Sequence, residues 1–260
     1  MIEAQLTTVV RSDDELAQWI AAGKLRGTDS LICWDGRLTD SAARTLAATS
    51  DADHLVSLDL SWNRVGPAGA AALIASPHLW RMTRLRLYHN DLGVAGASHI
   101  AAAARLEMLN VCGNALGDRG LSALAAGELH ALHELALGWN DLGSVDAIVA
   151  GPWRSLEKLN VRANRLGAAD AAKLPALPAL RWLGLDENPL GEVGPLLAAP
   201  GFRRLEWLNL GGTELDDRAV AHFAAVGPCA LRELRLHDNE LSRGALAAIR
   251  DALPGCEVRA

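Results

Sequence analysis

In residues 55–66, LVSLDLSWNRVG, apolar side chains recur at the first, fourth, sixth and eleventh places, with mostly polar or small ones between them. The alternation at the fourth and sixth places is strand periodicity, with Leu58 and Leu60 pointing one way and Ser57, Asp59 and Ser61 the other. The spacing returns in MTRLRLYHNDLG (82–93), LEMLNVCGNALG (106–117), LHELALGWNDLG (132–143) and LEKLNVRANRLG (156–167). It returns again in LRWLGLDENPLG (180–191), LEWLNLGGTELD (205–216) and LRELRLHDNELS (231–242). A degenerate copy, SLICWDGRL (30–38), precedes them. Each strand is followed by a run of small residues such as GPAGAAALIA, a return segment whose Ala and Leu close the core. Pro175, Pro178, Pro195 and Pro200 cut some of these down to single turns or 3-10 pieces.

The ninth place is asparagine at 63, 90, 114, 140, 164, 188 and 239, and Thr213 stands where the eighth would be, so the units step by 24–27 residues. An asparagine amide both donates and accepts. Set where a strand stops, it can satisfy turn backbone groups that would otherwise be buried unpaired. Threonine cannot make all of those bonds, so an irregularity is expected at Thr213.

The pattern L-x-x-L-x-L-x-x-N-x-L over residues 30–242 resembles the leucine-rich repeat family. It is similar to the ribonuclease-inhibitor-like branch, with shortened repeats of 24–27 residues. The resemblance implies an α/β solenoid, a horseshoe with a parallel concave β-sheet of about nine strands and a convex side of short α and 3-10 helices. One repeat cannot bury its own apolar face, so stability comes from stacking and the ends need covers. Three segments follow. Residues 1–29 form an N-terminal strand and helix cap, 30–242 the repeats (one degenerate, eight regular), and 243–260 a C-terminal helix and cap with CEVRA as a short edge strand. In the N-terminal helix, Ser12 and Glu15 form a capping box, Gly23 suits the stop, and Trp19 is read as core.

With the register known, places three, five, seven and eight leave the core. Composition then gains meaning: the chain has eight Trp against one Tyr and two Phe. Trp34, Trp62, Trp139, Trp182 and Trp207 fall on the outward places, as does Tyr88. Exposed aromatic surface marks binding, and the alternative is that Trp182 and Trp207 merely stack across strands. Trp80 and Trp153 precede their strands and are assigned to convex-side packing. Asn110, Cys112, Gly113, Ala136 and Gly138 read as a low floor flanked by Arg86, Tyr88 and His89 on one side and Trp139 and Arg162 on the other. Gly184, Gly211 and Gly212 read as a second low area beside Trp182, Trp207 and Asp186.

Charge narrows the partner. A net charge of −6 speaks against nucleic acid, and no apolar run reaches the roughly 20 residues of a membrane span. The C-terminal third is acidic, with Asp186, Glu187, Glu214, Glu233, Asp238 and Glu240 and Arg235 as the exception, which suits a basic partner region. The four cysteines have no CxxC spacing, so no metal and no cofactor is expected. The expected partner is another protein or peptide, and the resemblance implies the same. The candidate contact residues are Trp34, Trp62, Arg86, Tyr88, His89, Trp139, Arg162, Trp182, Asp186 and Trp207. The alternative is an enzyme, or a small-ligand or metal-dependent catalyst, around His89 and Cys112. The start of the chain has no secretory pattern, which places it in the cytoplasm, monomeric by itself. High Ala, Gly and Arg usage suggests a GC-rich bacterial genome.

Overall fold

The computed structural model describes residues 5–7 and 10–260, and the side chains from residue 10 on. They form two compact units, one ending at Leu132 and the other starting at His133. The first unit alternates β1 (Gln5–Thr7), α1 (Asp13–Ala21), β2 (Ser30–Ile32), α2 (Asp40–Ala48), β3 (Ser57–Asp59), α3 (Pro67–Ala75), β4 (Arg84–Arg86), α4 (Gly93–Ile100), β5 (Met108–Asn110) and α5 (Gly117–Ala125). Its strands pair in parallel in chain order, with Ser30, Ser57, Arg84 and Met108 in register. The second unit runs β6 (Glu134–Ala136), α6 (Asp146–Ala150), β7 (Lys158–Asn160), α7 (Ala168–Ala171), β8 (Trp182–Gly184), α8 (Gly194–Ala198), β9 (Trp207–Asn209), α9 (Ala219–Ala225), β10 (Glu233–Arg235), α10 (Arg243–Ala252) and β11 (Glu257–Arg259). These strands too are parallel and sequential. Eleven strands are thus described rather than about nine, because β1 precedes the first repeat and β11 follows the last.

The repeat makes each element for a plain reason. The middle leucine of each strand, Leu31 through Leu234, is fully buried, and the strand is three residues long because the eighth place leaves the extended region. The Gly151–Pro152 step ends α6, Pro175 turns the chain after α7 into a 3-10 turn at Leu174–Ala176, and Pro200 follows α8. The convex pieces of these three repeats are accordingly four or five residues long, against eight or nine for α2 to α5.

The asparagines hold one repeat to the next. Asn63 Oδ1 accepts from Gly36 N at 3.1 Å and Leu38 N at 2.8 Å, and its Nδ2 donates to Cys33 O at 2.7 Å and Leu60 O at 3.0 Å. Asn164 repeats this on Asn140 N, Leu142 N, Leu137 O and Val161 O. The irregularity expected at Thr213 is present. Its hydroxyl donates to Leu210 O at 2.6 Å, within its own repeat. The Leu190 N–H, which an asparagine there would accept, turns back to Asn188 O at 2.8 Å.

Two tryptophans depart from expectation. Trp19 is half-buried, because Leu16 and Ile20 occupy the centre of the α1 stripe and Trp19 stands at its edge. Gly23 follows α1 with φ +71°, and Ser12 Oγ accepts from Glu15 N at 3.2 Å as the cap. Trp153 is 1% exposed as expected, but Trp80 is 53% exposed. In most repeats the third residue before the first leucine place is the inward one. Leu79, Leu129, Trp153, Leu177 and Phe202 hold it and are buried. Trp80 stands one residue later and is turned out, its carbonyl taking Arg105 Nη1 at 2.9 Å.

Candidate aromatic binding face

The eighth place is left-handed in all nine repeats. Asp35, Trp62, His89 and Gly113 in the first unit, and Trp139, Ala163, Glu187, Gly212 and Asp238 in the second, have φ between +49° and +65°. Non-glycine residues avoid this region because Cβ crowds the next carbonyl, at about 1–2 kcal/mol each. The turn that feeds the asparagine requires it. Its consequence is that the eighth side chain is swung away from the strand and displayed. The recurrence of Gly and Asp at this place was the readable signal, since both tolerate φ > 0. Ala115 has the same backbone, φ +52°, at an exposed tenth place. Ala115→Gly is therefore expected to raise stability by up to about 1 kcal/mol in urea unfolding, by removing a strained Cβ.

In the first unit the displayed residues meet. Trp62 lies on His89 with ring centroids 4.0 Å apart and planes 24° apart, and meets Tyr88 edge-on at 5.2 Å. Trp34 and Trp62 remain 56% and 48% exposed. Asp59 and Arg86 are register neighbours on β3 and β4, and Asp59 Oδ1 accepts from Ser61 N at 2.9 Å. The low floor is not open on this side. Cys112 is only 4% exposed, and the His89 ring sits over Gly113, where an added Cβ would meet it at 3.1 Å.

The second unit is organised by charge over rings. The Arg162 guanidinium stacks on Trp139 at 4.0 Å. Its Nε lies 3.2 Å from Asp186 Oδ2, an ion contact off the axis of a hydrogen bond, and its Nη2 contacts Glu187 Oε1. Asp186 is buried, and burial pushes its carboxyl above the ordinary range while Arg162 draws it back. Trp182 and Trp207 stack face to face at 3.9 Å with a 7° interplanar angle, and Arg235 covers Trp207 at 4.9 Å. These two are therefore a cross-strand ladder and half-buried, whereas Trp139 is 37% exposed. The second low area is filled too: the His237 ring covers Gly211 and the Trp182 ring covers Gly184. Glutamates 214 and 240 and Asp238 border a cleft of about 330 Å³. Among the described residues no group of three or more His, Cys, Asp or Glu could hold a metal ion, and no helix is long and apolar enough to cross a membrane.

A family model for leucine-rich repeats matches residues 53–73 and 106–125. Human NACHT, LRR and PYD domains-containing protein 12 is 29% identical over 238 residues, 86% of this chain and 21% of that protein. Human podocan-like protein 1 is 35% identical over 214 residues, 80% of this chain and 34% of that one. The chain thus spans about a fifth and a third of the length of these relatives. Among solved structures, internalin C2 from Listeria monocytogenes is similar at TM-score 0.53 and 18% identity, covering 91% of this chain and 80% of that one. A chain of the mouse RP105/MD-1 complex is similar at TM-score 0.54 and 19% identity, covering 90% and 37%. These two likenesses concern the fold. With eight regular copies of the eleven-residue motif, parallel three-residue strands in register and an asparagine ladder between them, the chain is a leucine-rich repeat protein.

Proposed function

We propose that this chain is a non-catalytic module that binds a protein or peptide through the aromatic side chains of its strand face. The observation that carries the reading is the first-unit cluster. Trp62 and His89 are held in a strained left-handed conformation and stacked, and Trp34 stands about half-exposed on the same unit. Exposed tryptophans are the residues most often responsible for binding energy. The similar chain of the mouse RP105/MD-1 complex is part of a protein complex, which supports a protein partner here. In the second unit, Trp139 with Arg162 offers a smaller contact, and the acidic cleft at Glu214, Asp238 and Glu240 suits a basic partner segment. Catalysis by a Cys112–His89 pair has little support, because the thiol is covered and the imidazole is engaged by Trp62. A cytoplasmic location fits four thiols without a disulfide framework.

The test is capture from an extract of the source cells with immobilised wild-type chain, followed by affinity measurement on the protein retained. The Trp34→Ala, Trp62→Ala double variant is expected to lose at least about 30-fold in affinity, at roughly 2 kcal/mol or more for hot-spot residues. Trp80→Ala, an exposed tryptophan off this face, should bind as wild type. Equal binding by all three proteins would defeat the reading.

A further inference from the structure

The four cysteines divide between interior and surface. Cys33 and Cys112 are 0% and 4% exposed, and burial pushes the Cys33 thiol up to about 12. Neither offers a thiolate to solvent at neutral pH. Cys229 and Cys256 differ. Both are partly exposed, Cys229 in the segment leading into β10 and Cys256 in the turn leading into β11. Both line one cleft of about 460 Å³, together with Leu231, Leu253 and Pro254. They are near enough to sense each other's charge: burial first, and then the Cys229 charge, raise the Cys256 thiol to about 11. Neither is part of the repeat pattern or of the aromatic face.

We infer that Cys229 and Cys256 are a dithiol that closes to an intrachain disulfide on meeting a low-molecular-weight disulfide such as oxidised glutathione, fastening β11 to the repeat before it. One cysteine thiolate attacks a sulfur of oxidised glutathione, forming a mixed disulfide and releasing one glutathione thiolate. The other cysteine thiolate then attacks the protein sulfur of that mixed disulfide, forming the intrachain S–S bond and releasing the second glutathione thiolate. The two protons leave the protein thiols and end on the released glutathione, so two protein thiols are oxidised as one glutathione disulfide is reduced.

Among the described residues β11 pairs with β10, through Glu257 N to Arg232 O at 2.8 Å and Leu236 N to Arg259 O at 2.7 Å. A cross-link from 229 to 256 encloses β10 and α10 and removes freedom from the opened chain.

The experiment treats the full chain with oxidised glutathione, removes the reagent, and records intact mass, thiol count in denaturant and melting midpoint. The expected result is a mass lower by two hydrogens, a fall from four titratable thiols to two, a 229–256 linked peptide on mapping, and a midpoint raised by a few degrees. Cys229→Ser and Cys256→Ser should each carry one glutathione adduct, form no intrachain bond and keep the reduced midpoint. Four remaining thiols, a stable adduct on the wild-type chain, or a disulfide-linked dimer would each overturn the pair. An intrachain bond that leaves the midpoint unchanged would overturn its role as a fastening.

Discussion

Asn63→Ala is expected to lower stability by about 3–5 kcal/mol, a large part of the roughly 5–15 kcal/mol that holds a typical domain. The amide serves five backbone groups: Gly36 N, Leu38 N, Cys33 O, Leu60 O and Ser61 O. The site is 8% exposed, so water cannot replace all five partners, and each buried orphan costs about 1–3 kcal/mol. Two of the groups lie in the preceding turn and one ends the preceding strand, so the loss is also a loss of coupling between repeats. Urea unfolding should show a lowered midpoint and, as the repeats uncouple, a broadened transition. A loss below about 1 kcal/mol would mean that the ladder contributes no more than ordinary turn bonds.

The second large effect is expected at Trp153. This side chain is 1% exposed and its ring lies flat against Gly151, where an added Cβ would meet the ring at 2.9 Å. Trp153→Ala removes the largest fully buried side chain and should cost about 3–5 kcal/mol. Trp153→Phe should cost far less than size alone suggests. The indole Nε1 is buried with no hydrogen-bond partner, so phenylalanine removes an unsatisfied donor along with the lost volume. Denaturant midpoints for the two variants decide the matter. Equal losses would show that the indole N–H finds a partner in solution.

The repeat, the strand register and the asparagine role were legible because they are periodic along one chain. A three-residue strand with inward leucine at its centre needs no tertiary information beyond the fact that copies stack. The Thr213 irregularity was legible for the same reason, as a single chemical change in a repeated role. The site was less so. Of the places read as outward, Met108, Cys112 and Asp186 are buried, Trp182 and Trp207 spend their surface on each other, and Trp34 and Trp62 keep theirs exposed. The glycine floors expected from small side chains were filled by the neighbouring strand's ring, His89 over Gly113 and His237 over Gly211. Trp80 was assigned inward on its place before a strand, and a one-residue offset from Leu79 turned it out.

The sequence by itself therefore determined the repeat, its parallel strands and which places face away from the core, because these follow from spacing alone. Only the tertiary structure decided which of those outward side chains remain available. Availability depends on what the next strand, about 5 Å away, lays across them. It also depends on the left-handed turn at the eighth place, which pattern counting along the chain does not register.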